Sequence, residues 1–138
     1  MKTQTITCDQ RFADFEQSLG ELNEIIDTIK MKGLKPELER HLHRSFEVTH
    51  EQALNTMASY FHQQGRPTYS GSRDITLDAF DEDLIDDGKG WLDMIICRIK
   101  ATDVYTENVD ASITDNIIKK YCALFENFQK KMKEALEE

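Results

Sequence analysis

The chain has 138 residues, 26 of them acidic and 17 basic, for a formal charge of −9. That length suits a single domain spanning 1–138, large enough to bury a core without disulfide or metal staples. So acidic a surface repels phosphate backbones, which disfavours RNA or DNA as a general partner, and no apolar run approaches the ~18 residues that cross a bilayer.

The opening MKTQTITCDQ lacks the apolar stretch of a secretory signal. Cys8, Cys97 and Cys122 are odd in number, far apart and form no C-x-x-C. Neither a disulfide framework nor a zinc knuckle is expected, and the cytoplasm is the simpler location.

The first element carries Phe12, Phe15, Leu19, Leu22, Ile26 and Ile29, a stripe with steps of 3, 4, 3, 4 and 3 that predicts an amphipathic helix. Gly33 ends it, after Lys30 and Lys32, which suit a helix C-terminus. Pro36 fits the first turn of a second helix. Its inward positions are Leu38, Leu42, Phe46, Ala53, Met57 and Tyr60 or Phe61, and it should stop near Gly65, because Pro67 disfavours helix before it. A loop, GRPTYSGS, follows.

A short helix is predicted from Ser72 as N-cap, with Ile75, Ala79 and Phe80 inward. Another carries Trp91, Met94, Ile95 and Ile99, capped by Asp86 or Asp87. Cys97 falls in this apolar run, which reads as a buried, inert thiol. The helix is expected to end within CRIKATDVY, with Arg98, Asp103 and Tyr105 about its close. The last helix begins near Thr106 and shows Ile113, Ile117, Tyr121, Leu124, Phe128 and Met132. Strand patterns are nearly absent. The sum is an all-α fold: an antiparallel up-and-down helical bundle of three long and two short helices.

The chemistry-bearing residues are few. His43, Glu47 and His50 lie at i, i+4 and i+7 on one helix face, and Glu47-x-x-His50 matches half of a di-iron bundle motif. No second copy exists, so no metal site is expected. Glycine-rich phosphate loops and nucleophile elbows are lacking too, which leaves this chain without a cofactor of its own. The acidic stretch Asp78 to Asp93 reads either as a solvated helix end and loop or as a docking face for a basic partner. Arg98 and Lys100 complement a helix C-terminus, and Asp103 is an ordinary loop residue.

Three segments carry a resemblance. FEVTHEQA (46–53) looks like a Phe-Glu-x-Thr-x-Glu-x-Ala helix; SRDITLDAFDEDLIDDG spans 72–88; and Trp91-Leu92-Asp93-Met94 is followed by Arg98 and Tyr105. With the helix layout, the chain resembles the nucleotidyltransferase substrate-binding proteins, a branch of the HEPN superfamily. The resemblance implies an all-helical homodimer that works beside a separate minimal nucleotidyltransferase, the partner that brings NTP and Mg. It also implies substrate or partner contacts at Glu47, Glu51, Asp87 and Trp91. In several HEPN proteins an Arg-x4-His-x-Tyr motif is a metal-independent RNase site, and in some the partner attaches AMP to the tyrosine. Here the spacing is kept as Arg98-x4-Asp103-x-Tyr105, but aspartate replaces histidine and Ile99 follows the arginine.

Metal-free RNA cleavage needs a base and an acid that work near neutrality, as imidazole does. An ordinary aspartate, with a pKa of about 4, is ionised at neutral pH and a poor acid, and losing acid–base help costs ~10²- to 10⁴-fold in rate. The nuclease motif is therefore expected to be impaired, with Tyr105 either a nucleotidyl acceptor or a packed ring. Arg98 either orients a phosphate by bidentate hydrogen bonds or pairs with Asp103. The expected role is a substrate-binding or acceptor subunit. The alternatives are an active RNase toxin neutralised by its nucleotidyltransferase antitoxin, and a structural bundle without chemistry.

Overall fold

A computed structural model describes residues 7–66, 69, 71–103 and 107–137, with backbone alone for 101–103 and 107–111. Its helices are α1 (Cys8–Lys32), α2 (Pro36–Gln63), α3 (Ser72–Asp81), α4 (Gly88–Asp103), α5 (Glu107–Asn116) and α6 (Cys122–Glu137). A π-helical turn, Ile117–Tyr121, joins α5 to α6. No strand occurs among the described residues. The architecture is the antiparallel up-and-down all-α bundle expected from the periodicity.

Thr7 starts α1 with a reciprocal capping box. Its hydroxyl accepts the Gln10 N–H at 3.2 Å, and Gln10 Oε1 accepts the Thr7 N–H at 3.1 Å. Gly33 closes the helix at φ 87°, a region open to glycine, and its N–H returns to the Ile29 carbonyl. The short link to Pro36 folds α2 back along α1. Their facing stripes bury Phe15, Leu19, Leu22, Leu42, Phe46 and Met57 almost completely. Each such side chain contributes ~1.5–3 kcal/mol of burial, so this hairpin anchors the bundle.

The corner between α3 and α4 explains most of the LIDDG-x-x-WLDM block. Leu84 and Ile85 are buried. Asp86 accepts from the Asn127 amide at 2.8 Å and pairs with Lys131. Asp87 caps α4, accepting the Gly90 N–H at 2.9 Å. Gly90 has no room for a side chain: a Cβ there would lie 2.5 Å from Asp87 Oδ2 and 2.8 Å from Leu124 Cδ1. Trp91 then enters the core edge-on to Phe125 and Phe128, each centroid at 5.7 Å.

Several expectations need correction. Gly71, not Ser72, is the N-cap of α3. Phe80 and Ile99 are 49% and 56% exposed rather than inward. α4 runs on through Arg98 to Asp103, so Arg98 stands within the helix rather than about its close. On the last helix Phe125 is the fully buried residue, and Leu124 packs against the core only partly buried, because the π turn shifts the register. All three cysteines are free and buried, one each in α1, α4 and α6. Burial above all pushes each thiol up, Cys122 to about 11.

Candidate functional site

α2 and α4 cross so that Arg98 meets two consecutive residues of α2. Arg98 Nη1 lies 3.0 Å from His50 Nδ1 and 3.0 Å from Glu51 Oε2. A guanidinium only donates, so Nδ1 accepts and the hydrogen of the neutral ring sits on Nε2. With Glu47, Leu54, Ser72 and Ile95 these side chains line a cleft of about 420 Å³. The Arg98 side chain is 29% exposed and Glu51 56%, so the salt bridge is partly screened.

His50 is the buried member. It is 1% exposed, stacked on Phe46 at 6.1 Å with planes 7° apart, and 6.0 Å from the Trp91 ring. Burial, then the positive charge of Arg98, pulls its pKa down to about 3. At neutral pH the imidazole is uncharged and a weak base. Its Nε2 has no hydrogen-bond partner among the described residues.

Of the residues singled out from sequence, Arg98, Glu47 and Glu51 come together in this cleft. Asp87 lies at the α4 cap. Trp91 is fully buried, its ring 6.0 Å from that of His50. Asp103 ends α4, but its side chain and all of Tyr105 lie outside the described residues. His43 turns to the α5 side. It donates to Thr114 Oγ1 at 2.7 Å, and that hydroxyl donates to Glu39 at 2.6 Å. Among the described residues no three His, Cys, Asp or Glu side chains gather as a metal site.

Sequence reasoning missed His50 as a partner of Arg98. The two are 48 residues apart, and the histidine was weighed only within its own helix. The single available signal was the FEVTHEQA helix, in which His50 sits beside Glu51.

A second hollow of about 390 Å³ lies across α4, walled by Asp93, Cys97, Lys100, Lys120 and Tyr121. Burial chiefly raises both the Cys97 thiol and the Tyr121 phenol, the latter to about 12. Neither is an activated nucleophile.

The helices form an all-α antiparallel bundle with a polar cleft between α2 and α4. Among solved structures the chain is similar to one described as tri-AMPylated Shewanella oneidensis HEPN toxin in complex with MNT antitoxin. The TM-score is 0.74 over 95% of this chain and 98% of that one, at 16% identity, which establishes a shared fold. Residues 10–134 match the family described as "Nucleotidyltransferase substrate binding protein like", and the chain belongs to that family. No curated protein matches it.

Proposed function

We propose that this chain is the substrate- or acceptor-presenting subunit of a two-component nucleotidyltransferase. It works as a homodimer beside a separate minimal nucleotidyltransferase, which brings the NTP and Mg. The family match over 10–134 carries this reading. The α2–α4 cleft adds to it, because Arg98 is held there by two neighbours on α2. Exposed Ile96 and Ile99 flank Arg98 on α4 and supply apolar surface for the second copy.

Tyr105, seven positions after Arg98 in sequence, is the proposed acceptor. Its phenolic oxygen attacks the α-phosphorus of ATP held on the partner. The new O–P bond forms as the α–β bridging bond breaks, pyrophosphate departs, and the phenol proton passes to a base on the partner. Arg98 orients the incoming phosphate in this scheme.

The test is incubation with the nucleotidyltransferase recovered by pull-down from the native host, plus ATP and Mg. Intact mass should rise by one or more AMP units, and Tyr105→Phe should abolish the gain. Recovery of no nucleotidyltransferase overturns the reading, and no mass change overturns the acceptor role of Tyr105. Light scattering should give twice the 16.0 kDa of the chain, and Ile96→Asp with Ile99→Asp should return it to one.

The His50–Arg98 contact favours a second reading, an RNase toxin whose imidazole comes from α2. Its depressed pKa and its burial oppose that. Purified protein in EDTA should leave RNA intact. Cleavage that Arg98→Ala removes would establish the nuclease, whereas cleavage gained only in Asp103→His would mark a decayed motif.

A further inference from the structure

We infer that His50 is a positioning residue: from α2 it accepts one hydrogen of Arg98 Nη1 and fixes the plane of the guanidinium in the α2–α4 cleft. Nη1 carries two hydrogens. Glu51 takes one at 3.0 Å and His50 the other, also at 3.0 Å. Two acceptors on one planar nitrogen set how that corner of the guanidinium stands against α2.

The imidazole is itself immobile. Phe46 stacks on it, Trp91 closes one side, and 1% of the residue meets solvent. A side chain so enclosed loses little further freedom when it binds Arg98.

The position also rejects a purely structural account. A core histidine retained for packing is expected to have both nitrogens satisfied. Here Nε2 has no partner among the described residues, and burial disfavours the charged ring. Phenylalanine would fill the same aromatic stack with neither penalty. Among the described residues the polar contact of this imidazole is Arg98, and that contact is what histidine adds.

The geometry of the pair stands by itself; its weight in nucleotidyl transfer rests on the function proposed above. The two are tested separately. Nitrogen-15 NMR of the isolated protein should show His50 in the Nε2–H tautomer at pH 7, with an Nδ1 resonance that moves in Arg98→Ala. The Arg98 Nη groups should give separate signals in wild type and in His50→Gln, which keeps an acceptor. Exchange between them should become faster in His50→Phe, at unchanged helix content. An Nδ1–H tautomer in wild type, or an Arg98 that stays ordered in His50→Phe, overturns the inference. The wild-type tautomer decides the matter even if a variant does not fold.

In the reconstituted complex with ATP, His50→Phe should slow AMP incorporation about tenfold, the scale of a lost orienting contact, and His50→Gln should recover to within about twofold. An active wild type with an equally active His50→Phe removes the catalytic weight of the pair. An unlabelled wild type removes the acceptor role of Tyr105 and leaves the NMR result to stand.

Discussion

At the residue scale, His50 links stability to acidity. Its pKa lies near 6.5 in an unfolded chain and at about 3 in the fold. Between those values the unfolded chain binds the proton and the folded one does not. Stability from this group is therefore present above pH 6.5 and is lost as pH falls toward 3, at a slope approaching ~1.4 kcal/mol per unit. Denaturant melts of wild type and His50→Phe at pH 7 and pH 4.5 should show the difference. The variant should be as stable as wild type or better at pH 7, since it removes an unsatisfied buried donor worth ~1–3 kcal/mol. Its advantage should grow at pH 4.5. A gap that does not widen with acid would mean that His50 takes up its proton in the folded state. Gly90 is the second residue with a sharp prediction. Gly90→Ala should destabilise by ~1–3 kcal/mol, because the new methyl meets Asp87 and Leu124. Asp87→Ala should cost ~1 kcal/mol by comparison. Thermal melts rank the two.

At the element scale, the π turn sets the face of the last helix. The buried set is Ile113, Ile117, Tyr121, Phe125, Phe128 and Met132, with steps of 4, 4, 4, 3 and 4. Three consecutive steps of four drift about 120° around a regular α-helix. The wide turn absorbs that drift, and its Cys122 N–H reaches back five residues to the Ile117 carbonyl. One surplus residue in 117–121 accounts for it. Deletion of Lys119, whose side chain is 73% exposed, leaves steps of 4, 3, 4, 3 and 4. That protein should fold to the same helix content, with a melting temperature equal to or above wild type. Lys119→Ala should change stability by less than ~0.5 kcal/mol. If the deletion unfolds the chain, the turn holds its place for some other reason.

At the scale of the whole molecule, the bundle was legible because α1 and α2 repeat their apolar residues at helical spacing, and burial follows that spacing. Elements that depend on one unusual backbone step were not. The π turn has no composition of its own, so Leu124 was expected where Phe125 packs. Phe80 and Ile99 fit their helical patterns, yet each is only about half covered, at 49% and 56% exposed. The cleft was legible only in pieces. Arg98, Glu47 and Glu51 were visible from a resemblance, but their convergence with His50 is a fact of helix crossing, and a linear motif does not encode it. Trp91 was legible as an inward residue of its helix. It lies in a recognisable block whose residues mostly cap, turn and pack.

The three enclosed thiols give this bundle internal clocks. Alkylation needs a thiolate that reagent can reach, so each sulfur must wait for its own helix to open. Digestion and mass spectrometry after timed labelling would date the opening of α1, α4 and α6 one by one. Cys8 sits directly behind the Thr7–Gln10 box, so Thr7→Ala should hasten labelling at Cys8 and leave Cys97 and Cys122 at their former pace.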